Sequence, residues 1–497
     1  QTVSNVFEGA PPQNVQQITD LEVVSGDLIN VEDNTFFTTL GAENIDNVDL
    51  GTANLVIKRV FTNVSSASST LTLETAPDNE AYLPFDEERY HVAYSDGTIQ
   101  PLTEDMVTLA SNLKTVTIAG LDREAETNIR VFATLNKNRV REKLKRLNNV
   151  SSILVTRSSD ASSGIGTTTL NDGLTYSNVY GTRVQDKEIS LNKPDVLRIL
   201  GIFESDDQND PNLPTVTLTT MSGPNQTTSD FVVGEKLIGD ESKAVARVVS
   251  ATSGTVLEVV YLNNRVFTLE ERLRGQTSNI GATVADIGQS DKNVTSDYIL
   301  DDGQRNSFYD YGRIVRKKDR KNASRRLRVI FQNYSVDASD TGDIFTSESY
   351  DNELYSSDIP SFEGVRNTDI LDIRPRVSDY DTTSTRSPFD FASRDFTGSG
   401  QAVPNILVSD ENITVNYEYY LGRIDRVFLD AFGKFNVVNG VPAVNPQLPP
   451  ALDDNLEIAT IKLPPYMFSI DSASIKRVEH KRYTMKDIGD LDTRITN

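Results

Sequence analysis

Two runs of basic side chains are the residues whose crowding most plainly implies chemistry. Lys137, Arg139, Arg141, Lys143, Lys145 and Arg146 fall in one stretch, and Arg313, Arg316, Lys317, Lys318, Arg320, Lys321, Arg325, Arg326 and Arg328 in another. On an isolated basic domain such a run would bind phosphate or an acidic polymer. Here 49 Lys and Arg stand against 72 Asp and Glu in 497 residues, a formal net charge of −23. A phosphate-tracking surface would work against the repulsion of the whole molecule, so no nucleic-acid partner is expected. The second run is expected instead to meet carboxylates of a neighbouring subunit, by electrostatic complementarity.

The acids invite a calcium reading at three places: Asp206, Asp207 and Asp210; Asp301 and Asp302 before Gly303; and Asp337, Asp340 and Asp343 around Gly342. None has the spacing of a calcium loop closed by a glutamate. Aspartate suits turns through its own side-chain hydrogen bonds, so solvated turn acids are the expectation. A paired-carboxylate glycosidase site would assemble only in space, and the sequence singles out no pair. The chain has no Cys, which removes disulfides, thiolate metal sites and cysteine nucleophiles together. Its two histidines, His91 and His480, sit in or beside strand-like stretches and read as packing or surface residues. No nucleophile elbow, phosphate loop or dinucleotide fingerprint occurs. No catalytic residue, cofactor or metal is therefore expected. The clusters Tyr298, Phe308, Tyr309, Tyr311 and Tyr417, Tyr419, Tyr420 could stack on sugar rings. Tyrosines beside strands more commonly pack across strands or at protein interfaces.

The elements that must position these groups are strands. Alternation of apolar and polar residues recurs from Leu71, Thr115, Ile129, Thr215, Leu327 and Ile413, with turn-rich stretches from Ser65, Ser158 and Asp206 between such runs. Helical periodicity is confined to two places. Val140, Leu144 and Leu147 have helical spacing within 138–148, but this stretch follows a strand directly, which weighs against a helix. The other is the C-terminal segment, where Thr484 can cap a helix carrying Ile488, Leu491 and Ile495 at i, i+3 and i+7. That helix has barely started at Asn497, and the first residue is not Met, so the chain is expected to be a piece of a longer polypeptide. No stretch approaches the length of a membrane span.

An internal repeat with a period of 36 aligns FVVGEKLIGDESKAVARV from Phe231 with FTLEERLRGQTSNIGATV from Phe267. It matches Phe231 with Phe267, Glu235 with Glu271, Leu237 with Leu273, Gly239 with Gly275, Ser242 with Ser278, Ala246 with Ala282 and Val248 with Val284. A duplicated hairpin closing a small barrel, its copies related by a pseudo-twofold, is the expectation. The whole reads as mainly β: several small β-sandwich or β-barrel domains in tandem, ending in a helix that begins a coiled coil. The expected divisions are 1–157, 158–228, a barrel over 229–290, 291–420, 421–483 and the helix from 484.

From about Glu188 onward the stretches KPDVLRILGIFES from Lys193, YILDDGQRNSFYDYGRI from Tyr298, DTGDIFTSESY from Asp340, DIRPRV from Asp372, YYLGRIDRVFLD from Tyr419, IKLPPY from Ile461 and KRYTMKDIG from Lys481 follow one another. In this order they resemble large virion structural proteins of contractile-tailed phages, especially marine cyanophages. The resemblance covers roughly the last three hundred residues. It implies a tail or baseplate component, located in the virion, without catalytic residues to carry over. It also implies assembly with copies of itself, as a trimer by analogy with phage fibres, and with neighbouring tail, baseplate or fibre proteins. Ile488, Leu491 and Ile495 are the expected oligomer interface. The competing expectation is a host-recognition tailspike or adhesin that binds surface polysaccharide.

Overall fold

The computed structural model describes residues 20–30, 36–74, 78–159, 172–223, 225–350, 359–396, 406–409, 411–465, 467, 472–479 and 485–496. Each of the six alternating stretches lies in a strand, for example Ile129–Asn138, Leu327–Val336 and Asn412–Leu421. The stretch 138–148 is not helical. The strand ending at Asn138 gives way to a short connection, and the next strand, Lys145–Val155, starts within that stretch, in keeping with the strand before it that weighed against a helix. Among the described residues no helix is long and apolar enough to cross a membrane.

Four bodies of sheet follow from these strands. The largest sheet runs Asp20–Asn30, Asn412–Leu421, Ile45–Val64, Ile129–Asn138, Tyr90–Ala93, Ile99–Gln100, with Ile406–Leu407 and Glu80–Tyr82 pairing beside this path. Alternate residues such as Leu55, Ile57, Val131, Ala133 and Leu135 point to one face. There they meet Leu71, Leu73, Val116 and Ile118 from a three-stranded sheet, Thr70–Glu74, Thr115–Ala119 and Val107–Leu109, in one apolar core. A second core lies between the four-stranded sheet Lys145–Val155, Leu327–Val336, Val196–Glu204, Lys292–Asn293 and the three-stranded sheet Glu188–Pro194, Tyr311–Arg316, Tyr298–Asp301. The fourth body is C-terminal, with strands in the order Phe435–Val438, Arg423–Leu429, Leu456–Leu463, Ser474–Arg477 and a small core of Ile461, Leu463 and Met467.

Pairing crosses the expected divisions. Asn412–Leu421 lies between Asp20–Asn30 and Ile45–Val64, so a segment assigned to 291–420 completes a sheet assigned to 1–157. Lys145–Val155 likewise pairs with Leu327–Val336. A strand's sequence carries its alternation but not the identity of a partner hundreds of residues away.

The third body is a closed barrel in the order Thr215–Thr219, Val256–Tyr261, Val245–Ala251, Lys236–Gly239, Arg272–Gly275, Gly281–Gly288. The repeat forms its centre. Leu237 pairs with Gly275, Ile238 with Arg274 and Gly239 with Leu273, so the two copies exchange places about the Ile238–Arg274 pair. Leu237 faces Ala246 as Leu273 faces Ala282. Phe231 and Phe267 are both buried in the barrel core, in like environments.

The duplication is also wider than the 36-residue repeat. Leu218 faces Val284, and Val259 faces Val248, the repeat equivalent of Val284. The Leu218 N–H donates to the Thr255 carbonyl and the Val259 N–H to that of Pro214. Thr215–Thr219 and Val256–Tyr261 are therefore equivalent strands, and they pair with each other at Val216 and Leu257. The barrel is two three-stranded units and begins at Thr215, before the expected 229.

Candidate assembly surface

The second basic run, expected to reach carboxylates of another subunit, finds most of its partners in its own chain. Arg313 joins Glu188 at 2.8 Å and Asp301 at 2.7 Å, Arg326 joins Asp210 at 2.6 Å, Arg328 joins Glu258 at 3.2 Å and Arg320 joins Asp297 at 3.2 Å. Arg316 donates to the carbonyls of Gln185 and Asp186, Lys317 to that of Ser296 and Arg325 to that of Asp172. Lys318 and Lys321 stand exposed in the turn between the two strands. The run is a set of clamps, and its acids come from strands and turns that are distant along the chain.

Those turn acids are held by protein groups. Asp301 accepts from Arg305, Arg313 and the Gly303 N–H, and the guanidinium bonds outweigh burial to bring its carboxyl down to about 2. Asp337 and Asp207 accept backbone N–H groups two residues on, as turn aspartates do. Among the described residues no group of three or more His, Asp or Glu side chains is placed to hold a metal ion. His91 lies on Tyr90–Ala93, and burial, followed by the nearby Lys58, lowers its pKa. His480 and Thr484 lie outside the described residues.

The first basic run holds what the sequence did not reveal. Lys137 and Lys145, on strands, and Lys143, in the connection between them, are all three buried. Lys137 meets Asp343 at 2.6 Å and Glu80 at 3.3 Å. Burial pushes the Lys143 amine down to about 8 against the pull of Asp340, Asp343 and Asp372. Lys145, fully enclosed, reaches Asp195 at 2.8 Å. Its ammonium donates to the hydroxyls of Tyr309 at 3.1 Å and Tyr350 at 2.9 Å, and lies 4.5 Å from the Phe345 ring centre. The Tyr309 hydroxyl donates in turn to Asp372, which also holds Arg374 at 2.7 Å. Two tyrosine hydroxyls and the Asp195 carboxylate thus satisfy the ammonium from segments far apart in the chain. This network fastens the first core to the second. Parity along the run does not single them out, because Arg139 and Arg141 share it and are exposed.

The expected interface residues are open to solvent. In the helix Met485–Thr496, Ile488 is 49 % exposed, Leu491 44 % and Ile495 81 %. Described residues elsewhere in the C-terminal body also present apolar side chains outward: Phe432, Phe435, Val441, Val444, Leu448 and Ile475. A helix of twelve residues interrupted by Gly489 is marginal unless its stripe packs on something. A cavity of about 520 Å³ lies where this body meets the first sheet, lined by Tyr419, Tyr420, Pro446, Pro464 and Pro465 among others.

Comparison of the chain with curated proteins and with solved structures finds no match. Residues 379–497 match a domain of unknown function, DUF4815, a segment that holds Asn412–Leu421, the C-terminal sheet and the exposed helix.

Proposed function

We propose that the chain is a structural protein of a contractile phage tail or baseplate, which assembles with copies of itself and with neighbouring tail or fibre proteins and carries out no catalytic step. The observation that carries the assembly part is the set of exposed apolar side chains on the helix, on the strands of Phe435 and Ile475, and on the loops of Phe432, Val441, Val444 and Leu448. Apolar side chains exposed together favour burial against a protein partner. The phage assignment rests on the ordered motifs from Lys193 to Lys481. Mass spectrometry of purified contractile-tailed particles, followed by reconstruction of the tail, tests it. Peptides of this chain and density that accommodates the closed barrel support the reading, and their absence from the particle overturns it.

The second reading, a host-recognition protein that binds polysaccharide, draws on the tyrosine- and proline-lined cavity beside Tyr419. Saturable binding of a host glycan by the purified chain, lost on Tyr419→Ala, would favour it.

A further inference from the structure

The cavities of this chain differ in the charge that lines them. One beside Asp49 is also lined by Glu142, Glu348 and Arg141, and the one beside Tyr419 has Glu43 and Lys462. Another, of about 270 Å³, has Arg157 as its only charged lining residue. Its lining comes from Ile153 to Arg157, from Thr182 with Ile189, Ser190 and Asn192, and from Tyr380 with Thr382. Ile153, Val155 and Ile189 also pack in the second core, so part of the lining is apolar. In a chain with 72 acids, a cavity that holds a cation and no carboxylate stands apart.

Arg157 is half-buried and begins the short strand Arg157–Ser158. Its backbone is fixed by pairing with Thr175–Tyr176 and by the Val184 N–H, which donates to the Arg157 carbonyl. The two terminal guanidinium nitrogens donate to Thr182 Oγ1 at 3.4 Å and to the Thr382 carbonyl at 2.7 Å. Both acceptors are neutral. That leaves the Nε–H and a hydrogen on each terminal nitrogen without an acceptor among the described residues. Arg183, which faces Arg157 across an isolated bridge, is neutralised by Asp186 at 2.6 Å. Among the described residues Arg157 forms no ion pair. Ser190 is buried, and its hydroxyl oxygen accepts the Asn192 N–H at 3.0 Å, which leaves the hydroxyl hydrogen to donate.

We propose that this cavity binds a small monocarboxylate, with its carboxylate on Arg157 and its aliphatic body against Ile153, Val155 and Ile189. A planar guanidinium with free N–H groups matches a carboxylate through charge-assisted bonds. One cation and no acid match one negative charge, whereas a phosphate dianion would leave a charge uncompensated. The volume is at the small end of ligand cavities, which suits a short acid and not a polymer. The apolar part of the lining gives the acid's body a place out of water. In a chain of net charge −23 the surrounding field repels anions, so binding here would reflect the site and not the field. None of the lining residues belongs to the exposed apolar set of the C-terminal body, so this site is independent of the assembly reading.

The test is thermal unfolding of the full chain at pH 7 in sodium butyrate against sodium chloride at matched ionic strength. The midpoint is expected to rise with butyrate and to level off, following the logarithmic linkage to a folded-state site. Butyramide, of nearly the same shape but uncharged, should bind at least about tenfold more weakly. Arg157→Gln should raise the apparent Kd for butyrate by at least about tenfold as well. The butyramide comparison uses the unaltered chain, so the result does not depend on whether the Arg157 variant folds. Equal midpoints in butyrate and chloride would overturn the proposal. So would an equal response to butyramide, or an unaltered butyrate response in a folded Arg157→Gln.

Discussion

Glu235 and Glu271 each close the turn that belongs to the other's half of the barrel. Glu235 accepts the N–H groups of Thr277 and Ser278, both at 2.9 Å, and the Ser278 hydroxyl at 3.1 Å. Glu271 accepts those of Glu241 at 3.2 Å and Ser242 at 3.0 Å, and the Ser242 hydroxyl at 2.9 Å. Each also holds the N–H three residues before it, Val232 for Glu235 and Thr268 for Glu271. The exchange explains the paired glycines. A Cβ on Gly239 would lie 2.6 Å from Glu271 Oε2, and one on Gly275 2.6 Å from Glu235 Oε2.

Glu235→Ala and Glu271→Ala are each expected to lower the stability of the barrel by about 2–4 kcal/mol, because buried turn donors lose a charged acceptor. Gly275→Ala should cost about 1–3 kcal/mol by forcing the carboxylate away. Urea midpoints measured on the full chain check all three. An unchanged midpoint in both glutamate variants would mean that water replaces the carboxylates.

The Glu271 carboxyl also sets an acid limb. Burial raises its pKa, but the bonds from the Ser242 and Thr268 N–H groups, the Ser242 hydroxyl and the Glu241 N–H outweigh burial and bring it below the ordinary 4.5. A lowered folded pKa means stabilisation present above about pH 4.5 and lost as pH falls through the folded value. Glu271→Gln should therefore differ most from the parent near neutral pH and converge with it in acid. A constant difference across pH 3–7 would contradict this.

Glu348 is predicted to behave in the opposite sense. Burial, then its hydrogen bond and repulsion with Glu142, raises its carboxyl to about 7. A carboxyl raised on folding binds a proton that the unfolded chain releases, so stability falls as pH rises from about 4.5 to 7. Because the side chain is substantially exposed, solvent screening limits the effect to about 1 kcal/mol. Glu348→Gln should be more stable than the parent at pH 8 and equal to it at pH 4, by denaturant titration at the two pH values.

Lys145→Met is expected to cost about 3–5 kcal/mol, since it leaves Asp195 charged and buried without its cation. The pair Lys145→Met with Asp195→Leu should recover most of that loss. A double-mutant cycle with no coupling would show that the tyrosines, and not Asp195, hold the ammonium.

Under the proposed self-assembly through the helix, replacement of Ile488 and Leu491 by Asp should dissociate the oligomer at micromolar concentration and leave the far-ultraviolet β signal intact. Sedimentation velocity reads the first and circular dichroism the second. An unchanged oligomer would move the interface to the sheet that carries Phe435 and Ile475.

Local patterns determined what is local. Alternation alone located Ile129–Asn138, Leu327–Val336 and the other strands, spacing located Ile488, Leu491 and Ile495 on one helix, and the repeat located the centre of the barrel, because period and hydropathy follow from backbone geometry. Partners were decided only in three dimensions. The first strand of each barrel unit escaped notice because Leu218 and Val259 are 41 residues apart where the rest repeats at 36, and an ungapped match ends at that change of loop length. Lys145 looked like one more residue of a basic run until the pairing of Lys145–Val155 with Leu327–Val336 set it beside Asp195 and the tyrosines. The run from Arg313 to Arg328 looked like a face for another subunit, but the fold brings Glu188, Asp210 and Glu258 to it from within the chain. Charge acts through space, and a strand's sequence does not encode the distance along the chain to the group it will meet.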